Sequence, residues 1–215
     1  MAAASKDVTG RLMERYGAET YAGSLGLDLS QNTPMPLFLW LVEANLFSAR
    51  IGAEQALQAA KALKESGLTT AERMAEATWK ERVLILNRNG YARFDEKTST
   101  FLKDMADHCR KAYGGELRKL REAAGRDPTA ERRLLKEFKG IGDVGADIFF
   151  REAQLAWDEL YPFADARALE AGRKLGLGDD ARQLAAHVDR AQFPALLTAL
   201  VRADLDKALD DIASA

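Results

Sequence analysis

From Leu134 to Phe150 the chain reads L-L-K-E-F-K-G-I-G-D-V-G-A-D-I-F-F, a pattern of helix, tight turn and helix. Leu135, Phe138, Ile141, Ala146 and Ile148 fall in apolar register around it. Gly140 and Gly142 open backbone angles closed to other residues and leave no Cβ between the turn and a ligand. Ile141 between them is expected to point inward and pin the turn. Gly145 and Ala146 let the two helices pack closely. N–H groups of the turn and of the following helix start then face outward, where a phosphate binds without any basic side chain. Lys139, Gly140, Ile141, Gly142, Val144 and Gly145 are the predicted contacts, with the Lys139 stem directed at backbone phosphate. A bare Gly-x-Gly favours an ordinary corner between helices; the apolar register around it reverses that in favour of the clamp.

Two carboxylates stand out. Glu43 lies in the run P-L-F-L-W-L-V-E-A-N-L-F-S-A-R, residues 36–50. Desolvated among apolar neighbours, a carboxyl group keeps its proton and suits a general acid. On the solvated side of an amphipathic helix it is plain surface, and the sequence leaves both readings open. Asn45 is placed to line the same pocket. Asp165 follows Tyr161-Pro162-Phe163-Ala164 and opens a helix, where its simplest role is an N-cap.

The elements that must position these groups are helices throughout. An N-terminal helix is expected from about Lys6 to Tyr16. Thr33-Pro34 and Pro36 mark a break, after which a very apolar helix runs to about Arg50. Residues 52–65 follow with Ala56, Ala59, Ala60 and Leu63 at helical spacing. Thr69 with Glu72 predicts a capping box for a short helix. Trp79–Leu86 is helical, and Asn87-Arg88-Asn89-Gly90 is a loop by composition. Residues 95–112 form a long amphipathic helix ended by Gly114-Gly115. A short helix is expected over 116–124, and another begins at Asp127-Pro128. No period-two run and no solenoid repeat is found. The prediction is an all-α protein with ten or more helices.

Composition sets outer bounds. The 215 residues suffice for one large domain or two small ones, with 47% hydrophobic and 30% charged residues. The longest apolar stretch, residues 37–47, is too short to span a bilayer. The first residues, Met-Ala-Ala-Ala-Ser-Lys, lack a signal-peptide core, so a cytoplasmic location is expected, nucleoid-associated if the source is bacterial. One cysteine and two histidines exclude an intrachain disulfide and argue against a structural zinc or a four-thiolate cluster. The net charge of −2 speaks against a uniformly basic face. Charge is nevertheless uneven: residues 80–93 and 111–126 are rich in Lys and Arg, and 204–211 are acidic.

The hairpin and the segment C-terminal to it resemble the endonuclease III and adenine-mismatch glycosylase superfamily. After the hairpin, one helix and a loop, the family places an apolar lead-in and an aspartate that begins a further helix. Here Y-P-F-A leads to Asp165, and A-R-A-L-E-A-G-R-K-L-G-L (residues 166–177) resembles the family helix ending in Leu-Gly-Leu. The loop before Asp165 is a few residues longer than the family's. Residues 36–50 resemble the first helix of the family's six-helix barrel. The likeness covers roughly residues 34–177.

The resemblance implies a DNA-glycosylase-like fold of two helical lobes. One is built from residues 1–33 and 150–215, the other from 34–149 and ending in the helix-hairpin-helix, with the hairpin and Asp165 facing a common groove. It implies a monomeric base-excision-repair enzyme acting on lesion-containing double-stranded DNA, with no membrane partner. Asp165 becomes the carboxylate that stabilises the oxocarbenium-like transition state. Glu43 becomes the acid that protonates a departing purine. Bifunctional members carry a Schiff-base lysine where this chain has Val144, so hydrolysis without lyase cleavage is expected. Arg50 stands where relatives place a wedge that fills the gap left by a flipped nucleotide. Asn89, Tyr91 and Arg93 are placed to touch the opposite strand. The family's iron–sulfur cluster lacks its cysteines here, the C-terminal tail is expected to hold by apolar packing, and a monovalent cation at the hairpin is the one cofactor the resemblance leaves room for. A non-catalytic hairpin module and a helical protein-interaction domain are the competing readings.

Overall fold

The computed structural model describes residues 2–17 and 19–214, with no side-chain detail before Asp7. Among these residues every regular element is helical: α1 (Ala2–Tyr16), α2 (Tyr21–Ser24), α3 (Pro34–Phe47), α4 (Ala53–Glu65), α5 (Ala71–Glu76), α6 (Trp79–Leu86), α7 (Asp95–Tyr113), α8 (Leu117–Ala123), α9 (Pro128–Leu135), α10 (Asp143–Ala153), α11 (Ala166–Lys174), α12 (Ala181–Ala185), α13 (Phe193–Leu205) and α14 (Leu209–Ser214), joined by short 3-10 and π-type turns. None of them is long and apolar enough to cross a membrane. The chain divides into two compact units, Leu25–Phe149 and Met1–Ser24 with Phe150–Ala215.

In the Leu25–Phe149 unit, α3 is the central rod. Pro36 through Leu46 are all buried, as a helix apolar on every side must be. Trp40 places its indole Nε1 2.9 Å from the carbonyl of Phe149. Arg82 is the other internal tie, with 2% exposure. Its guanidinium donates to the carbonyls of Met74 (3.1 Å), Ser99 (3.0 Å) and Ala77, fastening α5, α6 and α7 to one another. The unit starts at Leu25 rather than Pro34, because Leu25, Leu27 and Leu29 are buried in it and Lys64 donates to the carbonyl of Leu25.

Helix ends follow local chemistry. α5 is capped by Thr70, not Thr69: the Thr70 hydroxyl accepts from the Arg73 amide at 3.2 Å. The capping box belongs instead to Thr78 and Glu81 at the start of α6. α3 stops at Phe47, short of Arg50, and α1 begins at Ala2, before Lys6. Residues 87–91 make a wide π-type turn rather than an open loop, closed by Gly90 at φ +83°.

In the other unit α1 packs on α13 and α14, and Arg11 donates twice to the carbonyl of Ile212 (2.9 and 3.1 Å). Phe193, Leu196, Leu197, Leu200 and Val201 are buried, so the C-terminal segment is held by apolar packing. Three polar side chains near the end of α10 organise the rest. Glu152, fully buried, accepts from the amides of Tyr21 and Ala22, both at 2.9 Å, and from the Thr198 hydroxyl at 3.2 Å. Gln154 grips Phe163 from both sides, donating to its carbonyl (3.0 Å) and accepting from its amide (3.1 Å). Arg151 meets Asp165.

Candidate nucleic-acid interface

The hairpin is built as its sequence requires, but its two glycines do different work. Gly140 adopts φ +87°, and a Cβ there would lie 2.2 Å from Asn45 Nδ2 and 2.7 Å from Phe101 Cδ2. Any side chain there is strained both by the angle and by the crowding. Gly142 has no such angle, and a Cβ there would meet nothing within 4 Å. Its openness faces solvent. Gly145 is buried against the end of α3, where a Cβ would press on Ser48 Oγ at 3.0 Å. It is a packing glycine.

Ile141 is 4% exposed and pins the turn, and its amide already donates to the carbonyl of Phe138 at 3.0 Å. That N–H is therefore not open to a phosphate, contrary to expectation. Val144 is 62% exposed in the first turn of α10, where amides have no acceptor within the helix. Two ion pairs staple the corner, Lys136–Asp143 and Arg132–Asp147, both at 2.6 Å. Lys136 holds the Asp143 carboxyl below its ordinary range. Lys139 is exposed, with its ammonium 6.0 Å from the Phe101 ring centroid, while Lys97 lies 5.3 Å from the same ring. Asn45 reaches the carbonyl of Lys139 at 3.4 Å, supporting the hairpin, and with Phe101, Lys97 and Gly140 it lines a hollow of about 160 Å³ beside it.

The carbonyls of Phe138, Lys139 and Gly142 accept from Ile141, Asn45 and Ala146 respectively.

Within the same unit Arg50 and Arg93 line an open hollow of about 410 Å³ together with Gly52, Gln55 and Gly90. Among the described residues neither arginine has a carboxylate partner. Of the other two predicted contacts of this turn, the structure corrects Tyr91. Asn89 turns its amide back to the carbonyl of Ile85 at 2.7 Å. Tyr91 is fully buried and donates its hydroxyl to the carbonyl of Leu46 at 2.8 Å; burial pushes its pKa up to about 12. Tyr91 shapes the turn from within, while Asn89 is half-buried and braces it. Glu43 is fully buried on α3, which removes the solvated-surface alternative.

Asp165, in the other unit, is the N-cap of α11. Its Oδ1 accepts from the amides of Arg167 (3.1 Å) and Ala168 (3.3 Å). Its Oδ2 lies 2.6 Å from Arg151 Nε, and both side chains are 6% exposed. The cap was readable from the position of Asp165 before A-R-A-L. Arg151 was not foreseen; the one available signal was a run of polar residues, Arg151-Glu152 and Gln154, closing an apolar helix. Phe101 and Lys97 beside the hairpin were also missed, because on α7 they read as one turn of an ordinary amphipathic helix.

No family model matches the chain, and no curated protein matches it. Among solved structures, a trapped endonuclease III–DNA covalent intermediate in an estranged-adenine complex is similar over 80% of this chain and 73% of its own, with 17% sequence identity and a TM-score of 0.49.

Proposed function

We propose that the protein binds duplex DNA through the Gly140–Gly142 hairpin and acts on it, as a monomer, as a monofunctional DNA glycosylase of base excision repair. The observation that carries the reading is Gly142. Nothing crowds this glycine, it stands at the start of an eleven-residue helix, and the first-turn amides beside it lack intrahelical acceptors. That is the geometry a backbone phosphate requires. The resemblance of the hairpin and the aspartate-led helix to the endonuclease III superfamily supports the chemistry. A water attacks C1′ of an extruded nucleotide, and the base leaves with the glycosidic electron pair and a proton. Asp165 opposes the positive charge that grows on the sugar, and Glu43 supplies the proton to bases that need one. Val144 has no amine, so no imine forms at that position. Arg50 and Arg93 are the side chains offered to the gap and the opposite strand.

A second reading has its own observation. Both oxygens of Asp165 are engaged, one by the α11 amides and one by Arg151, in a site with little exposure. That arrangement suits a structural cap, and with it a non-catalytic hairpin module.

One experiment separates the two. The protein is incubated with duplexes carrying oxidised pyrimidine, mispaired adenine, uracil or alkylated purine, and strand breaks are scored with and without alkali. Alkali-dependent breaks on any one of them support the glycosylase. Binding to the duplexes with no base release from any of them favours the module. Borohydride is expected to trap no covalent complex on abasic DNA, and efficient trapping would turn attention to Lys139 or Lys136 as a nucleophile.

A further inference from the structure

The start of α7 lies between the two places proposed above to contact DNA. Phe94, Lys97 and Phe101 stand at i, i+3 and i+7 and share one face there. With Gly140 of the hairpin they line the hollow of about 160 Å³. Phe94 also lines the neighbouring hollow that holds Arg50 and Arg93. One continuous surface of the Leu25–Phe149 unit therefore runs from the hairpin, past Lys97, to the two arginines.

Charge along this surface is one-sided. Lys139, Lys97, Arg93 and Arg50 are all exposed, and among the described residues none of them has a carboxylate partner. No carboxylate lines either hollow. Asp95 is buried and engaged by Asn87 and by the Glu96 amide, both at 2.7 Å. Glu96 precedes Lys97 by one position and so projects from a different face of α7. In a chain of net charge −2, four unpaired cations on one strip are a local excess that draws phosphate.

Aromatic rings hold these cations. The Arg93 guanidinium lies 5.3 Å from the Phe94 centroid, and the Lys97 and Lys139 ammonium groups lie 5.3 and 6.0 Å from that of Phe101. A ring that attracts a cation restricts where the long side chain goes, so less freedom is lost when an anion arrives.

We propose that Lys97 is a phosphate contact, the middle link of a track for the sugar-phosphate backbone. The hairpin amides and Lys139 hold one phosphate, Lys97 holds a neighbouring one on the same strand, and Arg93 and Arg50 follow at the gap. The inference rests on the reading of the hairpin as a phosphate clamp and deepens it: Lys97 sets the register between the clamped phosphate and the gap. A nucleic-acid strand suits the strip better than an acidic protein does, because its charges recur at a fixed interval of about 3.4 Å along the axis.

The test measures binding of the full chain to an undamaged duplex by fluorescence anisotropy over a series of salt concentrations. Lys97→Ala is expected to lower the slope of log affinity against log salt by about 0.9, the share of one phosphate contact, and to keep the parent's melting temperature. Lys97→Arg should restore the slope. Lys111→Ala removes another exposed charge about four turns along α7 and should leave the slope unchanged. An unchanged slope in Lys97→Ala, or an equal loss in Lys111→Ala, overturns the proposal. So does polyglutamate that competes with the duplex charge for charge, since the strip would then serve acidic polymers in general. Duplex binding that weakens on Gly142→Ala but keeps its slope on Lys97→Ala removes the track alone. No duplex binding by the parent removes the clamp and the track together.

Discussion

The guanidinium of Arg151 lies 2.6 Å from the carboxylate of Asp165, and neither side chain has more than 6% of its surface exposed. The pair ties the end of α10 to the start of α11, and it makes each partner dependent on the other. Removing one member of a buried pair typically costs about 3–5 kcal/mol, because the remaining charge is left desolvated. Arg151→Met should destabilise the protein by that amount in urea unfolding. The double variant with Asp165→Asn should be less destabilised than the sum of the two single changes. Additive effects would mean that the pair carries no coupling.

The same contact sets a condition on the catalytic test. Asp165→Asn keeps an oxygen for the α11 amides but leaves Arg151 without its anion. Loss of base release is expected to be on the order of 10²–10³ in rate if the carboxylate faces the reacting sugar. The comparison holds only at a temperature where circular dichroism shows the variant folded. Full activity in a folded Asp165→Asn protein would end the catalytic assignment.

The two hairpin glycines should separate stability from binding. Gly140→Ala imposes a left-handed conformation costing about 1–2 kcal/mol and an overpacked Cβ costing about 1–3 kcal/mol more. Gly142→Ala adds a methyl group where nothing lies within 4 Å, so its melting temperature should stay near the parent's. Its affinity for duplex DNA should nevertheless fall, because the methyl group stands where a phosphate would approach. A Gly142→Ala protein that binds as tightly as the parent contradicts the clamp.

Tyr91→Phe offers a control from the neighbouring turn. The lost hydroxyl leaves the Leu46 carbonyl with the Ala49 amide (3.3 Å) as its donor, a cost of about 0.5–1.5 kcal/mol. DNA affinity at a temperature where the variant is folded should not change, since the ring lies inside. A selective loss of affinity would restore Tyr91 to the interface.

Glu152 gives the Met1–Ser24 and Phe150–Ala215 unit a pH signature. Burial raises its pKa above the usual 4.5, against the opposing effect of the Tyr21 and Ala22 amides. The folded state therefore holds this proton more tightly than the unfolded chain does. The resulting stability is fully present below pH 4.5 and is lost as pH rises through the raised value. The advantage of the parent over Glu152→Gln, read as a difference in melting temperature, should shrink from pH 4.5 upward. An advantage that grows with pH would reverse the sign.

What could be read from the sequence was what is decided locally. Helix starts at Pro34, Trp79 and Pro128, the glycine turn and the Asp165 cap all follow from residues within four positions of one another. Thr69 and Thr70 show the limit: two adjacent threonines offer the same hydroxyl, and only the path of the chain selects one. Tyr91 shows a second. N-R-N-G reads as an exposed loop, yet the hydroxyl after it finds a carbonyl 45 residues upstream. Arg151 could not be paired with Asp165 in advance, since the loop between them has no periodicity that fixes its return. Glu43 was open between core and surface until the burial of α3 on every side decided it.

Lys136 and Asp143 flank the hairpin as a ready-made ion pair, which bears on how DNA would exchange places with salt. A lysine free in solution draws a mobile anion that a DNA phosphate must release, whereas Lys136 carries its anion covalently on the same chain. Phosphate arriving at the turn would compete with the Asp143 carboxylate rather than with chloride. Binding measured against salt concentration should therefore be shallower than a count of nearby lysines suggests, and Asp143→Asn should steepen it.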